Sequence, residues 1–475
     1  MSWVLYRLPS LSIRGFIDNS GRDKREEKKT RRRSSRWRCS LFSPVIAVVD
    51  RCWSFKDALS ELLALLVGRL AFAGAADPRR SLLEFTGGCY FGGCTASPIA
   101  SGKGEIRRRK RQRERRLVAA LSGTKYGDVY DCIDFYKQPA FDHPLLKDHN
   151  FHPKMKPTLS RMKKNSSDST TTWSSMIWSK DERCPFGTVP IKRITKDDLL
   201  RQKYMPPPED AIFDVSNNSS EPKGGYISSQ GYQVAIAQTL TNPNNKFTGA
   251  GMITNFYNPH VEDGQHSACR LKIQKDSDII QVGWRVDPTL YGDSKTRLFI
   301  HSQFGKTDCF NTLCPGFVHV DTGTPLDMSY MDSLTHRGVD GYEETMYIER
   351  DSVNGNWWLL LSSDYAQVGF WPQRIFTGLT SFAMNVEWGG VVYSPPGVPK
   401  PPMGSSFFPI RNNLCDAFCR SIAVLNKNGK TIQVDKVTTH VDNPNVYKVL
   451  FERLGNDKES YLFFLYGGPG ESAQV

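Results

Sequence analysis

The chain has 475 residues, enough for two or three folded units with a sizeable core. Its formal charge of +13 is confined to one end: residues 1–120 hold 26 Lys and Arg against 11 Asp and Glu, and the remainder holds 36 against 38. A near-neutral folded part argues against a nucleic-acid-binding domain, and eleven cysteines are too few for a disulfide-built scaffold of this length.

In chain order, residues 22–38 and 107–116 are charge runs of the kind that stay solvated. Neither carries the interleaved aromatics that stack on bases, so nucleic acid is not the expected partner. Between the runs, Ala58–Ala76 has an apolar centre at Leu62–Gly68 that Arg69 interrupts. It is too short and too charged to span a membrane, and no membrane partner is expected. Its small-residue end, Ala71–Ala76, is that of a secretory signal displaced from the N-terminus. Two readings follow: a buried helix, or a chain start that is not the biological one. Residues 1–122 are expected to be a disordered basic region with the erratic composition of translated non-coding sequence.

From Tyr126 the composition changes to extended, proline-punctuated sequence with apolar anchors, and residues 123–205 are expected to form a small module. Cys132 and Cys184 are its disulfide candidates. Residues 206–230 read as a linker, opening on Pro206-Pro207-Pro208 and continuing through Ser216–Gly225, with nothing that builds a core. Asn165, Asn217 and Asn218 each begin an Asn-x-Ser glycosylation acceptor, which matters only in a secreted chain.

From 231 to 475 the apolar period is two, in short runs separated by Gly, Asn, Pro and Asp turns. That pattern predicts an all-β domain, an antiparallel β-sandwich. Two signatures bound its centre, Gln281-Val282-Gly283-Trp284 and Glu387-Trp388-Gly389-Gly390-Val391. Cys309 and Cys314 lie between them, five apart around a turn, and read as a local disulfide rather than a metal or nucleophile pair. No Cys-x-x-Cys with a matching His or second pair is present, so neither a zinc site nor another cofactor is expected.

The order of these pieces, with the terminal Tyr466-Gly467-Gly468-Pro469-Gly470, resembles the neprosin family over roughly residues 124–475. The resemblance implies a sandwich of two curved sheets, a preceding activation-peptide module, a secreted or vacuolar location and proline-containing peptides or proteins as partners. It also implies a glutamic endopeptidase that cleaves after proline. Such an enzyme needs two facing carboxyls whose pKa values are pushed apart, one to take a proton from water and one to donate. By the resemblance, these glutamates belong at the positions of Gln281 and Val391. Glutamine takes up no proton near neutral pH and valine none at all. Losing one general acid–base costs roughly 10²–10⁴-fold in rate.

The expected protein is therefore a non-catalytic peptide- or protein-binding homologue. Two alternatives stand beside it: an active acid-pH prolyl endopeptidase using another carboxylate such as Glu387, and a basic-tailed binding protein. Glu387 shares a strand face with Val391 but lies about 13 Å along it, and otherwise reads as a solvent-facing or hydrogen-bonded strand residue. Trp284, Tyr291, Trp388 and Gln265 are the candidates to line the cleft, with core packing as their other reading.

Overall fold

The computed structural model describes residues 117–120, 124–158, 183–209, 231–339, 341–434, 436–456 and 459–471. The readings of the two charge runs, of Ala58–Ala76 and of the acceptors at Asn165, Asn217 and Asn218 lie outside these residues.

The chain begins with β1 (Leu117–Ala120), β2 (Tyr130–Asp134), β3 (Thr188–Lys192) and a short helix α1 (Lys196–Arg201). There follow β4 (Tyr232–Thr239), β5 (Gly249–Asn255), β6 (His266–Lys275), β7 (Asp278–Val286), helix α2 (Pro288–Tyr291), β8 (Arg297–Phe304), β9 (Thr307–Phe310) and β10 (Val318–His319). The second half carries β11 (Glu343–Arg350), β12 (Trp357–Leu361), β13 (Ala366–Trp371), β14 (Asn385–Tyr393), β15 (Met403–Gly404) and β16 (Ala417–Leu425). It ends with β17 (Thr431–Gln433), β18 (Val437–Val441), β19 (Lys448–Asn456) and β20 (Glu459–Gly468).

These strands make the expected antiparallel sandwich. One sheet has seven strands in the order β18-β4-β14-β6-β7-β8-β9. The other has ten, β10-β13-β12-β11-β5-β16-β20-β15, with β17 on β16 and β19 on β20. Period-two alternation explains how they stack. On β6, Cys269, Leu271 and Ile273 enter the main hydrophobic core, while Ala268, Arg270 and Lys272 point to the other face. The core also takes Trp284 and Trp388 from the seven-stranded sheet and Met252, Ile348, Trp358 and Phe464 from the ten-stranded one. β12 is buried along its whole length, as an uninterrupted apolar run requires.

β1, β2 and β3 form a small sheet of their own. It starts ahead of the boundary expected at 123, because Leu117–Ala120 ends the basic run with an apolar stretch able to pair with β2. The module shares the sandwich's core through Ile133, Phe135, Leu146 and Phe151, and the Phe151 ring meets Phe370 edge-on at 4.9 Å. Gln138 mimics a strand neighbour, accepting from the His319 amide at 2.8 Å and donating to its carbonyl at 3.1 Å. Both expected disulfides are formed: Cys132–Cys184 joins β2 to the chain entering β3, and Cys309–Cys314 closes the turn after β9. Cys269 and Cys419 are free thiols buried between the sheets, with sulfurs 3.5 Å apart.

Candidate functional site

The residues of interest stand on the face of the seven-stranded sheet turned away from the ten-stranded one. Register sets them in rows. One row runs Gln238, Glu387, Lys272, Gln281, His301 and Phe310 across β4, β14, β6, β7, β8 and β9. The next holds Arg270, with Gly389 on one side and Gly283 on the other. The glycine of the Val-Gly-Trp signature is required here, since a Cβ at Gly283 would come within 1.9 Å of the Cys269 carbonyl oxygen. Neither flanking position carries a side chain beside the Arg270 guanidinium.

Charges gather around that arginine. Arg270 Nη2 lies 3.1 Å from Glu387 Oε2, and Lys272 Nζ lies 3.4 Å from Glu387 Oε1. The same two cations receive a second carboxylate, Glu209. Arg270 Nε donates to Glu209 Oε2 at 3.3 Å, its Nη2 also pairs with Glu209, and Lys272 Nζ is 3.7 Å away. Gln281 Nε2 reaches Glu209 Oε2 at 3.5 Å. All four partners are buried, Glu387, Arg270 and Lys272 completely so. Burial pushes the Glu209 carboxyl up, but Arg270 and then Lys272 outweigh it and hold the group at about 2, against an ordinary 4.5.

Glu209 arrives on the end of the module. α1 begins on a capping box in which Thr195 and Asp198 bond reciprocally, and the chain then runs through Pro206-Pro207-Pro208 onto the sheet. Consecutive prolines hold this segment extended. Tyr232 donates its hydroxyl to the Pro207 carbonyl at 2.8 Å. Pro207, Pro208 and Glu209 close a small pocket against Tyr232, Gln281 and His301. The start of the expected linker is therefore a docked element, because Glu209 finds two buried cations.

The predicted site residues separate. Gln281 lies in the charged row. Val391 is on the same face but aligned with Ala268 and Arg285, four residues along the strands, in an apolar patch with Val234, Phe299 and Tyr393. The register thus gives Gln281 the row of Glu387, not that of Val391. Glu387 is not solvent-facing; it is 0 % exposed and faces cations. Trp284 and Trp388 do not line the groove. They fill the space between the sheets, donating to the carbonyls of Asn255 and Gly251 at 2.9 and 3.1 Å. Tyr291 is buried on α2, its hydroxyl 3.4 Å from the Leu298 carbonyl oxygen. Gln265 braces a loop by donating to the Pro399 carbonyl at 2.7 Å. These side chains sit on core or loop positions because alternation and turns send them there.

Arg270, Lys272 and Glu209 were not singled out from the sequence. For Arg270 and Lys272 a signal was available: they occupy alternate positions of a strand whose other face carries Cys269, Leu271 and Ile273 into the core; Glu209 had none.

By contrast Glu344 and Asp327, which lie outside the groove, hold protons more readily than usual. Glu344 is pushed up to about 8 by burial and accepts from the backbone amides of Thr345 and Ser362. Asp327 is pushed up to about 6, first by burial and also by Asp128, against the pull of Lys192 and Arg297. It sits where the module meets the sandwich: Tyr130 donates to it at 3.1 Å, and Lys192 lies 3.4 Å from Asp128 and 3.6 Å from Asp327. Arg297 reaches Asp128 at 2.9 Å. Among the described residues no three His, Cys, Asp or Glu side chains converge to hold a metal ion.

Residues 263–469 match the family model described as Neprosin, and residues 122–238 match the one described as Neprosin activation peptide. Among solved structures, the chain is similar to scytalido-glutamic peptidase with a peptide-based transition-state analog, at 12 % identity and a TM-score of 0.28. That match covers 50 % of this chain and 98 % of the other. SCP-B, a member of the Eqolisin family of peptidases in complex with the tripeptide Ala-Ile-His, matches at 11 % identity and a TM-score of 0.26, with the same coverage.

Proposed function

Starting from a chain that belongs to the neprosin family and carries its activation peptide, we propose that the outer face of the seven-stranded sheet is a groove that binds proline-containing peptide without cleaving it. One observation carries this reading. The extended Pro206–Glu209 segment lies against Gln281 and Tyr232, on the face where the family resemblance calls for catalytic carboxyls.

The chemistry supports it. A carboxyl-type peptidase sets two carboxyls against each other so that one keeps a proton and the other does not. Here Glu387 and Glu209 meet only through Arg270 and Lys272, and Glu209 is held as an ion down to about pH 2. Gln281 can donate a hydrogen bond, as it does to Glu209, but cannot act as a base. Val391 supplies no polar atom. The Cys132–Cys184 and Cys309–Cys314 disulfides favour an oxidising compartment, outside the cell or in a vacuole.

The test is incubation of purified chain, unaltered and as Glu209→Lys, with proline-containing peptides at acid pH, followed by mass spectrometry. No cleavage after proline is expected from either. Cleavage abolished by Glu387→Gln would transfer the catalytic role to Glu387 and end the non-catalytic reading.

A further inference from the structure

The charges of the groove narrow what it binds. Arg285 is paired with Asp287, the residue that caps α2, and His301 with Asp308 on the neighbouring strand. Arg270 and Lys272 face two carboxylates among the described residues. Glu387 belongs to the sheet, on β14, whereas Glu209 is carried by the segment that follows the module. Without the segment, both buried cations lose the carboxylate that Glu209 brings to them, and removing one partner of a buried ion pair is strongly unfavourable. The sheet therefore carries a standing site for one more anion.

Its geometry suits a carboxylate. Two nitrogens of the Arg270 fork, Nε and Nη2, reach Glu209, and Lys272 and Gln281 approach the same group from the adjacent row. The Tyr232 hydroxyl holds the Pro207 carbonyl, two residues upstream, so the carboxylate is read at a set distance from a fixed point on the backbone. Prolines before the acidic residue keep that backbone extended and reduce the entropy lost on docking.

We infer that the groove recognises extended peptide segments in which an acidic side chain directly follows a pair of prolines, with Glu209 as the intramolecular copy of that ligand. The carboxylate goes to Arg270 and Lys272, and the carbonyl of the first proline of the pair goes to Tyr232. This rests on the groove reading above and adds a specificity that family membership does not supply.

The full-length chain with Glu209→Lys serves as the vacated form, because an ammonium group cannot sit against Arg270 and Lys272. Calorimetric titration with acetyl-Pro-Pro-Pro-Glu-amide and acetyl-Pro-Pro-Pro-Gln-amide then compares one ligand group. The glutamate peptide should bind at least about tenfold more tightly, as a charge-assisted pair implies. The unaltered chain, its site filled, should bind it at least about tenfold more weakly than the vacated form does. Tyr232→Phe in the vacated form should weaken both peptides and leave their ratio unchanged. Glu209→Ala, which loosens the segment instead of expelling it, repeats the comparison if Glu209→Lys does not fold. Equal affinity for the two peptides overturns the acidic specificity and leaves the groove reading standing. Failure of both vacated forms to bind either peptide overturns both.

Discussion

The module grips the sandwich through two buried charge clusters that respond to acid in opposite directions. At the groove, Arg270 and Lys272 hold Glu209 as an anion and bring it down to about 2. At the other contact, burial beside Asp128 raises Asp327 to about 6 even though Lys192 and Arg297 are near. Both sites contain two cations and at least two carboxylates. What differs is direct contact: two nitrogens of Arg270 hydrogen-bond the Glu209 carboxylate, while the Asp327 carboxylate has Lys192 at 3.6 Å and Arg297 bonds Asp128 and Asp293 instead. Counting charges would rate the two contacts alike, but whether the arginine hydrogen-bonds the carboxylate itself separates them.

The largest expected effect comes from the arginine at the groove. Arg270→Gln leaves Glu387 and Glu209 buried around a single lysine and should cost about 3–5 kcal/mol of stability in urea unfolding of the full chain. Adding Glu387→Gln should recover much of that loss, because the orphaned carboxylate is removed with its partner. A loss under about 1 kcal/mol in the single variant would mean that the cluster is not dry.

Acid should act next in size. Glu209 has its pKa depressed, so its contribution is complete above 4.5 and is lost as pH falls from 4.5 towards about 2. The loss is expected to reach up to about 3 kcal/mol, and it comes through Arg270 and Lys272 with His301 nearby. Thermal unfolding across this window should show the slope in the unaltered chain and a flatter curve in Glu209→Gln.

Asp327 has the opposite sign. Its pKa is raised from 3.8, so its contribution is complete below 3.8 and is lost as pH rises through about 6. Taken with Glu209, this puts the tightest closure of the module between 3.8, where the Asp327 contribution begins to be lost, and 4.5, where that of Glu209 is complete. Asp327→Asn should flatten the upper limb alone, with a change at neutral pH within about 1 kcal/mol, since an uncharged amide avoids the burial cost that raises the carboxyl. Hydrogen exchange of the β2 and β3 amides against pH would read this directly. A slope of the same sign at both contacts would break the comparison.

Much of the fold is legible in the chain itself. Alternation over Cys269-Arg270-Leu271-Lys272-Ile273 states that one face of this strand is apolar and the other polar, whatever packs on it. Short-range spacing likewise marks Cys309 and Cys314 as a bridge, and the change of composition near Tyr126 marks the module. Family membership was readable from the two glycine-tryptophan signatures because each combines a bulky core residue with a position that admits no Cβ.

Tertiary structure decided what those faces meet. Alternation says which side of a strand a residue takes but not which strands are neighbours, and β14 pairs with β6 across more than a hundred residues of sequence. Register alone put Glu387 beside Lys272 and in the row of Gln281, and put Val391 four residues along. A buried arginine is spelled like an exposed one, and three prolines before a glutamate are spelled like a linker. Arg270 and Glu209 became a site only because a sheet closed beneath one and a docked module delivered the other.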